Sequence, residues 1–179
     1  MDKRIRENIR VRKSIEEALF TLLKTKKLSE ISVTDIVKVS GVARSSYYRN
    51  FDSKESIIES YIQRMHDEVR EKIHFSENMD ELLIYDNLVA SLEFYLKQKF
   101  YLLQLYNNGL GMLIQEELNR FSEDLFGNMP QNSIHRYKLY FLSGAMLNMT
   151  MEWLKSGAME SPREMATEFL NYLDATSIE

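Results

Sequence analysis

Apolar positions recur at helical spacing along almost the whole chain. Ile5, Ile9, Ile15, Leu19, Leu22 and Leu23 mark one face of a first helix over about residues 4–26, and cations fill the opposite face. Ser32-Val-Thr-Asp35 has the form of an N-cap answered by an acid three residues on, and Ile36, Val37 and Val39 supply the apolar side of a short helix that Gly41 stops. A second short helix is predicted over 42–51, with Val42 and Phe51 able to face inward. Asp52-Ser-Lys-Glu55 then caps a longer helix that continues through Ile57, Ile58, Tyr61, Ile62, Met65, Val69 and Ile73. Two short helices joined at a glycine and framed by longer ones make a helix-turn-helix pattern.

Beyond residue 78 the breaks are sparse and the predicted helices long: 79–98, 99–107, 110–126, 132–156 and 162–175. Asn107-Asn-Gly109, Gly127-Asn-Met-Pro130 and the stretch 157–161 separate them. The last start is marked three times over, by an N-cap serine at Ser161, Pro162 at the first helical position and Glu164 returning to the cap. The expected fold is therefore all-α, with about nine helices. The segment 140–154 is the longest candidate for a membrane span, but Ser143, Asn148, Thr150, Glu152 and Lys155 interrupt it, and it falls short of the ~20 apolar residues a bilayer requires, so it reads as a buried helix.

Composition narrows the functional classes. With 6 Gly and 2 Pro in 179 residues there are too few turn formers for a sandwich or barrel. The absence of Cys removes disulfide scaffolds, thiolate nucleophiles and Cys-bound zinc together. The chain has no P-loop, no G-x-S-x-G and no H-E-x-x-H, and Gly109-Leu-Gly111 lacks both a third glycine and a preceding strand. Its three histidines, His66, His74 and His135, are scattered. No enzyme, no cofactor and no metal site is expected. The start MDKRIRENIRVRK has charge but no apolar stretch behind it, so a cytoplasmic protein without a membrane partner is expected.

The net charge of −4 conceals a division. Residues 1–54 carry 13 Lys and Arg against 7 Asp and Glu, a net of +6, whereas residues 55–179 carry a net of −10. A basic head on an acidic body suggests that the first third meets a polyanion. Within that head, Arg44, Ser45, Ser46, Tyr47, Tyr48, Arg49 and Asn50 put guanidinia, hydroxyls, phenols and an amide on one short helix, the side chains a helix needs to reach base edges in a DNA major groove. The run Lys3, Arg4, Arg6, Arg10, Arg12 and Lys13 reads either as an arm along a groove or as a solvated helix end.

The spacing of Val33-Thr-Asp-Ile36, Ser40-Gly-Val42 and Tyr48-Arg-Asn-Phe51-Asp-Ser-Lys54-Glu-Ser-Ile57 closely resembles the N-terminal domain of the TetR family of bacterial transcriptional regulators, over about residues 8–62. The resemblance implies a helix-turn-helix DNA-binding domain at 1–52 and a helical domain at 53–179 that dimerises and binds an effector. It further implies a homodimeric, ligand-responsive regulator, usually a repressor, acting on double-stranded DNA. By position, Arg44, Ser45 and Ser46 open the recognition helix, and Arg44 is the candidate for a bidentate guanine contact. Tyr47 either meets a thymine methyl or turns inward. Tyr48, Lys54 and Thr34 match phosphate-contacting positions, and Lys54 also lies in a first helical turn, where anions are favoured. Ala43, Ser45 and the pair Val39-Ser40 depart from the commonest pattern, which leaves the fold unaffected and the operator sequence open. An activator, a regulator gated by another protein, and a helical scaffold that does not bind DNA are the alternatives.

In the second part, the predicted helix 132–156 is apolar on nearly all sides and must be covered on two faces. Together with the helix at 162–175 it is expected to pair with its symmetry mate through Tyr137, Phe141, Gly144, Ala145, Met165 and Phe169. Tyr101, Leu105, Met112, Met149 and Trp153 are the candidates for enclosing an apolar or aromatic effector. The stretch 141–161 is also similar to the C-terminal domain of some Gram-positive members of the family.

Overall fold

Local signals set the helix ends in the computed structural model, which describes residues 3–74, 81–126, 133, 134 and 136–175. The turn 127–130, the first residues of the helices expected at 79 and 132, and His135 lie outside the described residues. Among the described residues there are nine α-helices and one 3-10 turn: α1 (Lys3–Leu23), the turn Leu28–Glu30, α2 (Val33–Ser40), α3 (Arg44–Asn50), α4 (Lys54–Arg70), α5 (Glu81–Lys97), α6 (Lys99–Asn107), α7 (Gly111–Phe126), α8 (Arg136–Lys155) and α9 (Pro162–Ala175). Ser32 and Asp35 close a capping box at the start of α2, and Gly41 ends that helix at φ 67°, a conformation a side chain would strain. At the other end of the chain the Ala158 amide reaches back to the Trp153 carbonyl across Gly157, at φ 104°, which terminates α8. To start α9, the Ser161 N–H then donates to the Glu164 carboxylate and the Glu164 N–H to Ser161 Oγ.

The chain divides into two compact units. The first comprises the residues up to Arg64 together with 104–113, and the second comprises 65–103 and the residues from Ile114 on. This places the division inside α4, twelve residues after the boundary suggested by the motif. The reason lies in the first half of α4, where Ile57, Ile58, Tyr61 and Ile62 are buried. Phe20 meets Tyr61 edge-on at 4.8 Å, Arg12 donates to Ser60 Oγ, and Arg64 pairs with the buried Glu16. The first three helices need this fourth one to close their core.

In the first unit, α1 packs on α2 and α3 through Ile15, Leu19, Phe20 and Leu23, against Ile36, Tyr47 and Phe51. Each such side chain contributes roughly 1.5–3 kcal/mol on burial. Ile5 and Ile9, expected on the same stripe, are 51% and 49% exposed, because the first two turns of α1 run past this small core. In the second unit, α5 packs on α8 and α9. Leu92, Ile114, Leu118, Met151, Leu154 and Ala166 are among its buried residues. No helix among the described residues is long and apolar enough to cross a membrane.

Candidate nucleic-acid interface

The start of α2 is held by local chemistry. Asp35 N–H donates to Ser32 Oγ at 3.1 Å, and the Asp35 carboxylate accepts from Ser32 N–H at 2.9 Å. The Ser32 hydroxyl, donating to the Asp35 carboxylate at 2.7 Å, and then the Ser32 N–H hold that carboxyl down at about 2. After Gly41 the chain re-enters a helix at Ala43, which has no side chain able to cap it. The seven residues of α3 then divide by face. Tyr47 is fully buried, with its ring edge-on to Tyr48 at 5.3 Å and 6.4 Å from Phe51. Arg44, Ser45, Tyr48 and Arg49 are exposed.

On the exposed face three predicted residues meet. Arg44 Nη1 donates to Thr34 Oγ1 at 3.1 Å, and Nη2 donates to Tyr48 Oη at 3.3 Å. The guanidinium carbon lies 5.6 Å from the centre of the Tyr48 ring. A planar cation is thereby fixed between the start of α2 and the middle of α3, with a hydroxyl on either side. A guanidinium in such a setting presents its remaining N–H fork to a bidentate acceptor at low entropic cost.

Other predicted residues are employed differently. Tyr47 anchors the helix from within, since in a helix of two turns only one of two adjacent aromatics can face the groove. Ser46 is half-buried, and its carbonyl accepts from Asn50 Nδ2 at 2.8 Å. Asn50 also accepts from Asn8 Nδ2 at 2.7 Å, while its carbonyl accepts from Arg12, so its polar groups bind α3 to α1. Lys54 Nζ donates to the carbonyls of Leu28 and Ile31, the latter at 3.0 Å. Its ammonium caps the 3-10 turn, where the C-terminal carbonyls attract a cation.

On α1, Asn8 is a residue the sequence did not single out, and Arg12, expected only as part of a basic run, has a more specific place. Arg12 lies over the Phe51 ring at 4.5 Å and, through Asn50 and Ser60, ties three helices together. Of the remaining basic run, Arg10 pairs with Glu7 at 2.9 Å and Lys13 with Glu17 at 3.8 Å. Lys3 and Arg4 line an open groove of about 600 Å³ with Asn8, Ser46, Arg49 and Asn50. The i,i+4 spacing of Asn8 and Arg12 was visible in the sequence. Their partner 40 residues away was not.

The expected effector and interface residues of the second part disperse. Leu105 is fully buried, Met112 is 71% exposed, and Tyr101 and Met149 are half-buried. Trp153 is buried with its indole N–H donating to the Glu160 carbonyl, a structural link between α8 and the connection that leads to α9. None of the five lines the apolar cavity of about 220 Å³ in the second unit, which is walled by Ile84, Leu88, Leu125, Leu142 and Phe169 among others. Phe169 thus belongs to that cavity rather than to an outward surface, and Met165 is half-buried. Tyr137 and Phe141 are 69% and 62% exposed. Gly144 and Ala145 are half-buried, and a Cβ added at Gly144 would meet Gln115 of α7 at an ordinary 3.9 Å. The expectation of an α8 apolar on nearly all sides fails on the side toward α7, where Gln115 and Asn119 hydrogen-bond Ser143, and Glu123 accepts from Arg136 and Tyr140.

Among the described residues no group of three His, Asp or Glu side chains is placed to hold a metal ion. No protein-family model matches the chain. In sequence it is 25% identical, over 97% of its length, to the uncharacterized HTH-type transcriptional regulator YxbF of Bacillus subtilis, of which it covers 46%. A 41-residue stretch, 23% of this chain and 19% of the relative, is 49% identical to the HTH-type transcriptional regulator EthR of Mycolicibacterium smegmatis. The chain therefore spans less than half the length of these curated relatives. In fold it is similar to a TetR transcriptional regulator from Streptococcus agalactiae, with a TM-score of 0.66 at 15% identity, over 94% of this chain and 96% of that one.

Proposed function

From the premise that this chain has the fold of a TetR-type helix-turn-helix regulator, we propose that it is a sequence-specific DNA-binding transcriptional regulator, a homodimer on a pseudo-palindromic operator, and a ligand-responsive repressor. The observation that carries the reading is the fixed Arg44–Thr34–Tyr48 cluster on the exposed face of a helix-turn-helix, with Tyr47 and Phe51 anchoring the same helix from behind. Arg44 addresses a guanine edge, Ser45 and Arg49 the flanking positions, and Thr34 and Tyr48 the phosphates on either side. Lys3 and Arg4, beside Arg49, extend the cationic track along the backbone. In the dimer two such helices enter successive major grooves about 34–36 Å apart. The exposed Tyr137 and Phe141 on α8 supply an apolar surface for the second copy.

Selection from a random duplex library with purified protein tests the first step. A palindrome is expected, its affinity falling steeply with salt. Absence of enrichment would return the helical scaffold to first place. Repression is tested by placing the recovered site between promoter and reporter, where loss of the protein is expected to raise expression. A fall in expression would make it an activator.

A further inference from the structure

The second unit holds a smaller cavity of about 20 Å³ adjoining the larger one, and the two share Tyr95, Leu118 and Met146 in their walls. Neither wall contains a lysine, arginine, aspartate or glutamate among the described residues. Besides the shared Tyr95, the large chamber has four polar side chains, and each of these four is already engaged by the protein. Asn87 spans the backbone N–H and carbonyl of His74, Ser91 donates to the Asn87 carbonyl, Ser122 to the Leu118 carbonyl, and Ser143 to Asn119. In the small chamber the situation reverses. Thr150 is 4% exposed, and its Oγ1 is buried without a hydrogen-bond partner. In an α-helix a threonine hydroxyl ordinarily bonds back to a carbonyl one turn earlier, so an idle one is unusual. Leaving it so costs free energy that a bound donor or acceptor would recover. His66 and Tyr95 line the same chamber. Burial pulls the His66 imidazole down to about 4 and pushes the Tyr95 phenol up to about 12, so both are neutral at pH 7.

We propose that the two chambers together bind one uncharged, mostly apolar molecule of roughly nine or ten heavy atoms, scaling from the 150 Å³ cavity that accepts benzene, with its single hydrogen-bonding group at Thr150. The small chamber has room for about one oxygen-sized group. A carboxylate there would be a buried charge without a counterion, which excludes fatty acids of the same length. The inference rests on the ligand-responsive reading for its regulatory consequence and on the cavity for its chemistry.

The test uses three probes of similar size on the full chain without DNA: 1-octanol, octanoate and n-propylbenzene, by titration calorimetry at pH 7. Octanol and propylbenzene are expected to bind and octanoate to fail. Thr150→Val is expected to weaken octanol about five- to tenfold, the worth of one neutral hydrogen bond, with propylbenzene unchanged and Thr150→Ser restoring the preference. Octanoate binding as well as octanol, equal effects of Thr150→Val on octanol and propylbenzene, or no binding by any probe would overturn the proposal. Repeating the octanol titration with the selected operator separates the two readings. Octanol that binds as described and leaves operator affinity unchanged keeps the ligand assignment and refutes its role as an effector class.

Discussion

Tyr47 and Tyr48 are chemically identical neighbours with opposite duties, one sealed in the core and the other presented with Arg44. The buried Tyr47 hydroxyl has no hydrogen-bond partner, and burial raises its pKa. Tyr47→Phe should therefore stabilise the fold by about 1 kcal/mol in urea denaturation and leave operator affinity unaltered. A loss of DNA binding on that change would place the hydroxyl at the nucleic acid after all. Arg44→Ala should relax base preference at one position and cost about 1–3 kcal/mol on the selected site, read by competition binding against single-base variants. A third expectation concerns His66, stacked on Phe121 at 4.8 Å with Asp67 and Arg70 as its charged neighbours. Its pKa falls from 6.5 to about 4 on burial, so the unfolded chain takes up the proton first. Stability should be full above pH 6.5 and decline as pH falls toward 4, by on the order of 3 kcal/mol from this group. The decline should be smaller in His66→Leu, measured as the difference between the two proteins' pH profiles.

At the scale of elements, the helix ends owe their positions to a few side chains that satisfy backbone groups. Ser32 is the clearest case, because α2 has only eight residues and little intrinsic helix strength to spare. Replacing it with alanine should cost about 1 kcal/mol, visible as a lower denaturation midpoint with unchanged slope. DNA affinity should fall with it, since Thr34 sits two residues from the cap and touches Arg44. The pairing of α7 with α8 through Gln115, Asn119, Glu123, Ser143, Tyr140 and Arg136 is a polar seam. Such a seam fixes register more than it adds stability, because each bond replaces one to water.

For the molecule as a whole, the charge division and the exposed aromatics of α8 define two surfaces of different character. One is basic, since residues 1–54 carry 13 Lys and Arg against 7 Asp and Glu. The other carries Tyr137 and Phe141 in the open, with their hydrophobic area uncovered within the protomer. Changing both to glutamate should convert a dimer into a monomer in sedimentation equilibrium without altering the helical circular dichroism, and operator affinity should drop because two half-sites are no longer held together. A double variant that remains dimeric would move the interface elsewhere.

How much was legible follows from the range of the forces involved. Caps, glycine stops and the 3.6-residue period act over a few residues, so the sequence alone settles the all-α class, the ends of α2, α6 and α9, and the helix-turn-helix with Arg44, Tyr48 and Thr34 on it, while the last turns expected of α1 and α4 are not formed. A seven-residue helix has too few turns for its period to tell which of Tyr47 and Tyr48 faces the core. That choice came from the helices packed behind α3. The same holds for Lys54, whose two carbonyl partners lie 26 and 23 residues away, and for Asn50, held by Asn8 and Arg12 from 42 and 38 residues away. The cavity was least legible of all, because a void is what several helices leave between them and no local pattern records it. Tertiary structure alone put Thr150 in the wall of the small chamber and Trp153 outside both, since both depend on how α8 is rotated against its neighbours.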